Sequence, residues 1–193
     1  MRLGIFGGTF NPVHCGHLIN AEMIRSEFGL DKVVLVPAQH PVHKELDGNV
    51  PGEDRFEMAR RAVENLPGYD VSRIEIDRKG PSYTITTIHE FGERYPGADL
   101  HLIIGMDMLN EIDTWREAER LLKSVTLVVM RRPGTDRHPE MDLGPYRVRY
   151  AGNPLVDISS TCVRERIRSG KSVRFLLPER VMEYIMEKGL YRT

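Results

Sequence analysis

Lys32-Val33-Val34-Leu35-Val36 is apolar at every position after the first. A strand with one wet face alternates polar and apolar residues, so an unbroken run points to a strand covered on both sides. Leu3 to Phe6, Leu100 to Ile104 and Val125 to Met130 read as further strands, and Tyr69 to Ile76 as one more. Between them lie segments with helical spacing: Ala21, Ile24 and Phe28; Phe56, Ala59 and Val63; Ile85, Ile88 and Phe91. Strands alternating with helices demand a parallel sheet with helices on both faces, an α/β fold. Leu155 to Ile158 is expected to be the last strand. Helices are expected over Trp115–Leu122, over Thr161–Ser169 and from Pro178 to Lys188, the last stopped by Gly189. Residues 135–153 read as an irregular excursion with a short strand near Arg147 to Ala151. On the helix after Pro51, Asp54, Arg55, Arg60 and Arg61 are expected to form the solvated face.

The segment with the most chemistry is Gly7-Gly8-Thr9-Phe10-Asn11-Pro12-Val13-His14-Cys15-Gly16-His17, directly after the first strand. Paired glycines let the backbone turn sharply and let a ligand approach. His14 and His17, three apart, fall on one side of a helical turn. The helix start beyond them favours anions through its N–H groups and dipole. A phosphate site with its own proton donors is one reading; a tight turn and a histidine metal site are the others. No second Cys/His cluster completes a tetrahedral ligand set, which weakens the metal reading. Near the other end, Ser159 and Ser160 open a helix, where hydroxyls either cap it or bind phosphate oxygens. Arg164 lies one turn in and can turn its fork toward the same anion.

Composition narrows the class. With 193 residues, 40% apolar and 28% charged, the chain suits one well-buried domain spanning 1–193, with no defensible boundary inside it. A net charge of −1 supplies no field for nucleic acid, so no nucleic-acid partner is expected. Two cysteines make no disulfide framework, no secretory signal opens the chain, and no apolar run approaches the roughly 20 residues of a membrane helix. A cytoplasmic protein without a membrane partner is expected. Cys15 and Cys162 each sit inside a phosphate-type motif. They read as small buried filler or as thiols whose pKa is lowered by a helix start.

Residues 7–17 resemble the GGTF(D/N)P-x-H-x-GH signature of the nucleotidylyltransferase superfamily, and Ile158-Ser159-Ser160-Thr161-Cys162-Val163-Arg164 resembles its second signature, ISSTxxR. Both stand in the expected order, at opposite ends of the chain. Over its full length the sequence is similar to the bacterial nicotinate-nucleotide adenylyltransferase family. The resemblance implies a Rossmann-like sheet and transfer of AMP from ATP to nicotinate mononucleotide, with Mg²⁺ delivered by ATP. It implies an ATP site of Gly7, Gly8, Thr9, Phe10, His14, His17, Gly105, Asp107, Ile158, Ser159, Ser160 and Arg164. His14, His17, Lys44 and Arg164 would be the catalytic set. Lys44 matches the family's His-Lys pair, and Arg132 its Arg-Pro-Gly. Tyr83 and Thr84 match a Ser-Tyr-Thr segment that presents N–H groups to the nicotinate carboxylate, although Ser82 or Thr84 could simply cap that helix. Trp115 would stack on the pyridine ring, or else fill the core. Lys44, Tyr83, Thr84, Trp115 and Arg132 make up the mononucleotide site. No dedicated metal site is expected, and a homo-oligomer is left open. The competing readings are a relative acting on pantetheine phosphate or nicotinamide mononucleotide, and a non-catalytic nucleotide-binding module.

Overall fold

The computed structural model describes residues 1–40, 50–131, 134 and 142–192. One sheet of six parallel strands runs through it: β1 (Arg2–Gly8), β2 (Lys32–Pro37), β3 (Tyr69–Val71), β4 (Asp99–Gly105), β5 (Thr126–Met130) and β6 (Val148–Tyr150). Their spatial order is β3-β2-β1-β4-β5-β6, the doubly wound order of a Rossmann-like fold. The apolar run of β2 behaves as its composition requires. Val33 and Leu35 enter one core, Val34 and Val36 the other, and all four are buried.

The first core is closed by α1 (Cys15–Glu27), α2 (Gly52–Val63), α6 (Ser160–Arg168) and α7 (Glu179–Lys188). The second is closed by α3 (Thr84–Arg94) and α5 (Ala118–Ser124). A four-residue α4 (Met106–Leu109) and a 3₁₀ turn (Ile112–Thr114) lie between β4 and α5. Helix α1 ends as expected: Gly29 takes a positive φ of 59°, and the Leu30 N–H donates back to the Arg25 carbonyl at 2.9 Å. Gly189, φ 63°, stops α7 in the same manner.

Several expectations are corrected. Residues 155–158 form no strand, because the free edge of β5 is taken by Val148–Tyr150 and Leu155 stands exposed. Strand β3 ends at Val71, since Ser72 folds its hydroxyl onto the Ile74 N–H and the chain turns. The helix expected from Trp115 begins only at Ala118, after Glu117 takes a left-handed φ of 54°. On α2 the buried stripe is Arg55, Met58, Ala59, Ala62 and Val63, so Arg55 lies inside rather than in solvent.

Because β2 and β4 flank β1 on opposite sides, the order in which strands are added to the sheet switches direction between β1 and β4, while all strands stay parallel. Beyond the carboxyl ends of these strands a doubly wound sheet leaves its binding crevice. Gly7 and Gly8 end β1 and Gly105 ends β4, so both candidate nucleotide segments start from that crevice.

Candidate active site

The turn after β1 is shaped by close contacts. A Cβ on Gly8 would stand 3.1 Å from the Phe10 ring, while one on Gly7 would meet nothing within 4 Å. Gly8 thus lets the Phe10 ring pack tightly against the backbone, and Gly7 leaves open space. Phe10 adopts a positive φ of 45° and turns its ring into the core, edge-on to Phe6 at 5.6 Å and to His17 at 5.1 Å. Any ligand contact by Phe10 therefore goes through its backbone. The Asn11–Pro12 peptide is cis.

His14 occupies the N-cap position of α1 and is buried. Its N–H donates to His17 Nδ1 at 3.2 Å, and the two rings stack with centroids 3.6 Å apart. Since Nδ1 of His17 accepts, the proton of the neutral ring sits on Nε2, which remains a donor. The Cys15 N–H is already taken by the Leu176 carbonyl at 2.8 Å, so not every N–H of this helix start faces a ligand. Burial pushes the Cys15 thiol above its ordinary pKa rather than below it, and Cys162 is exposed rather than filler.

The second motif is fastened to the first. Ser159 caps α6, its Oγ accepting from the Cys162 N–H at 3.1 Å. Ser160 Oγ donates to the Pro12 carbonyl at 2.9 Å. Arg164 is buried; its Nη1 donates to the Asn11 carbonyl at 2.9 Å and its Nη2 to Thr161 Oγ1 at 3.2 Å. A Cβ on Gly16 would stand 3.1 Å from the His14 ring, so that glycine leaves room for the imidazole, with Ile158 of the second motif in contact distance beyond it. Tyr191 joins them from the far end of the chain, its hydroxyl donating to Asn11 Oδ1 at 2.7 Å. Burial drives the Tyr191 phenol well above its usual pKa, so it stays a neutral donor.

Arg55 is the residue that sequence reasoning placed wrongly. Its side chain is fully buried. Nη1 donates to the Thr9 carbonyl at 2.8 Å and the Ala38 carbonyl at 2.5 Å, Nη2 to the Gln39 carbonyl at 3.2 Å, and Nε to the Val50 carbonyl at 3.3 Å. Among the described residues no carboxylate pairs with it. Burial lowers its pKa, yet a guanidinium remains charged at any ordinary pH. A signal for this placement existed: Arg55, Met58, Ala59 and Ala62 fall at i, i+3, i+4 and i+7. Tyr191 and Asn11 offered none, since their partners are remote in sequence.

Across the crevice, Gly105 is the N-cap of α4 and Asp107 lies in that helix's first turn. Tyr83 is the N-cap of α3 and Thr84 its first residue, both half-buried; no side chain caps the turn, contrary to the expectation for Ser82 or Thr84. Ser82 instead pairs with the end of the β2 loop: its N–H donates to the His40 carbonyl at 3.2 Å, and its Oγ accepts from the His40 N–H at 3.4 Å. Beneath it Glu75 is buried and accepts from Thr87 Oγ1 at 2.6 Å; burial raises its pKa. The Arg116 guanidinium lies 4.7 Å over the Tyr83 ring. Trp115 is only 8% exposed and packs in the second core, which fits core filling better than an open stacking face. Lys44 and Arg132 lie outside the described residues. No group of three or more His, Cys, Asp or Glu that could hold a metal occurs among the described residues.

Comparison with known proteins adds a second line of evidence. Residues 5–166 match the family model described as cytidylyltransferase-like. The probable nicotinate-nucleotide adenylyltransferase of Desulfitobacterium hafniense is 42% identical over 198 residues, covering 99% of this chain and 96% of that one. The protein of the same description from Thermoanaerobacter is 44% identical over 201 residues, covering 100% and 95%. Among solved structures, the Plasmodium falciparum nicotinic acid mononucleotide adenylyltransferase complexed with NaAD superposes with a TM-score of 0.79 at 17% identity, over 98% of this chain and 97% of that one. At that identity the likeness concerns the fold.

Proposed function

This chain belongs to the nicotinate-nucleotide adenylyltransferases of the cytidylyltransferase-like family, and from that premise we propose that it transfers AMP from ATP to nicotinate mononucleotide, giving deamido-NAD and pyrophosphate. The observation that carries the reading is the fastening of the two signature motifs at one crevice, through Ser160 to Pro12 and Arg164 to Asn11. ATP gripped there keeps its α-phosphorus open to an incoming phosphate.

The reaction needs no protein nucleophile. A phosphate oxygen of the mononucleotide attacks the α-phosphorus, and the bond to the oxygen bridging to the β-phosphorus breaks, so that pyrophosphate leaves in line. The protein then contributes position and charge neutralisation. His17 Nε2 donates to the transferring phosphate, with His14 stacked against it. The backbone of Gly7 to Phe10, the α6 start at Ile158 to Ser160, and Lys44 hold the triphosphate. Arg164 supplies positive charge from behind the Asn11 carbonyl. Mg²⁺ is part of the substrate, entering as the ATP complex. Gly105 and Asp107 receive the nucleoside. The uncapped first turn of α3, at Tyr83 and Thr84, suits the nicotinate carboxylate, and Arg132 the mononucleotide phosphate. With Trp115 buried in the core, its contact with the pyridine ring is an edge rather than a broad stack. The reaction belongs in the cytoplasm, where ATP is available; among the described residues no helix is long and apolar enough to cross a membrane.

The test is pyrophosphate release from MgATP with nicotinate mononucleotide, nicotinamide mononucleotide and phosphopantetheine in parallel. Release is expected with the first far above the other two. Preference for phosphopantetheine, or no release with any acceptor, would overturn the reading. In the same assay a folded His17→Ala protein should turn over at least about 100-fold more slowly.

A further inference from the structure

Arg55 has no place in the reaction as just described, yet it touches both halves of the crevice. Its Nη1 is shared between the carbonyls of Thr9 and Ala38, and its Nη2 reaches the carbonyl of Gln39. Thr9 leads directly to Phe10, whose ring packs on His17. Gln39 leads directly to His40, whose backbone pairs with Ser82, the residue before Tyr83 and Thr84. One rigid, planar group therefore stands between the turn proposed for ATP and the segment proposed for the nicotinate ring. The Ala38 N–H donates to the Gly8 carbonyl at 2.9 Å, so the same short stretch is also tied to the end of β1.

The chemistry of the position is unusual for a spacer. Its neighbours on the helix stripe are Met58, Ala59 and Ala62, and an apolar side chain there would avoid burying a charge. Only a guanidinium presents five donors in one fixed plane, and here that plane satisfies carbonyls from three separate segments: the β1 turn, the β2 loop and Val50 in the approach to α2. Lysine would keep the charge and lose the fork.

We propose that Arg55 is a positioning residue for adenylyl transfer, setting the separation of the ATP turn from the acceptor segment by holding Thr9 on one side and Ala38 and Gln39 on the other. This rests on the adenylyl-transfer reading above. Arg55 donates to backbone carbonyls of both halves, so what it fixes is their spacing. Loss of the fork therefore lowers kcat and leaves the affinity for each substrate by itself nearly intact.

Arg55→Lys and Arg55→Met are compared with wild type in the pyrophosphate assay, with melting curves to identify folded protein and equilibrium binding of ATP alone. For a folded variant kcat is expected to fall on the order of 100-fold, with ATP affinity and the KM for nicotinate mononucleotide changed less than about threefold. Arg55→Lys is expected to resemble Arg55→Met, because charge without the fork does not restore the spacing. Wild-type kcat in either folded variant, or a loss confined to KM, overturns the proposal, as does full rescue by lysine. Hydrogen exchange on the wild-type protein decides the matter even if both variants unfold. ATP alone should slow exchange over 8–12 and 37–40 together; protection confined to 8–12 overturns the coupling. A wild-type protein that releases no pyrophosphate from ATP and nicotinate mononucleotide defeats the adenylyl-transfer reading itself, an outcome distinct from an active wild type with indifferent variants.

Discussion

Helix α2 carries arginines on two faces that obey different physics. On its outer face Arg60 bonds Glu57 at 2.7 Å and Glu64 at 2.9 Å, and Arg61 bonds Glu57 at 2.8 Å. Arg180 of α7 joins the same network through Glu64. These charges are wet, so their mutual attraction is screened and contributes little. On the inner face Arg55 has no carboxylate among the described residues and is satisfied entirely by peptide carbonyls. Its removal would leave buried acceptors from three segments without a donor. Stability therefore hangs on the arginine that looks unpaired, not on those in ion pairs.

The sharpest way to break this contrast is Arg55→Met. Its four bonded carbonyls predict a loss of several kcal/mol, about 3–5, in chemical denaturation. A loss below about 1 kcal/mol would mean that water replaces the guanidinium at no cost. Tyr191→Phe comes next. It removes one buried hydrogen bond to Asn11 Oδ1 and should cost about 1–2 kcal/mol by the same measurement. The effect should be smaller still for Arg60→Ala on the outer face, about 0.5 kcal/mol, and it should shrink further in high salt.

Two carboxylates extend the comparison to pH. Hydrogen bonds from Arg60, and secondarily Arg61, hold Glu57 down to about 2 against some desolvation. Its folded pKa lies below the unfolded value of ~4.3, so its contribution is whole above that value and is lost as pH falls toward about 2. Glu75 has the opposite sign: burial raises its pKa, and Thr87 only partly offsets this. The folded state then binds more protons than the unfolded one above pH ~4.3, so stability falls as pH rises through the raised value. Melting temperatures across pH should show a shallower acid-side slope in Glu57→Gln, with Glu22, Glu53 and Glu64 still contributing, and a smaller fall above pH ~4.3 in Glu75→Gln. An unchanged profile in Glu75→Gln would show that its carboxyl is solvated in the native state.

Much of the fold was legible because local rules governed it. Apolar-rich runs marked β1, β2, β4 and β5, glycines marked the ends of α1 and α7, and the two signature segments marked the crevice. Reading failed where a partner far along the chain decided the outcome. Residues 155–158 have strand composition, but a strand needs a free edge, and Val148–Tyr150 holds it. Trp115 was expected to offer a ring platform, with core filling as the alternative; how deeply it is buried, among residues of the second core, was not legible from its neighbours in sequence.

The sequence by itself determined the alternation of strand and helix, the glycine turn after β1 and the presence of two signature motifs, since each is written within a few neighbouring residues. Only the tertiary structure decided that Ser160 and Arg164 bond the Asn11 and Pro12 carbonyls, that Tyr191 reaches Asn11, and that Arg55 lies inside. The reason is that a hydrogen bond or a burial depends on distance in space: Ser160, Arg164 and Tyr191 stand 148 to 180 residues from their partners along the chain, and the carbonyls gathered by Arg55 come from segments up to 46 residues away.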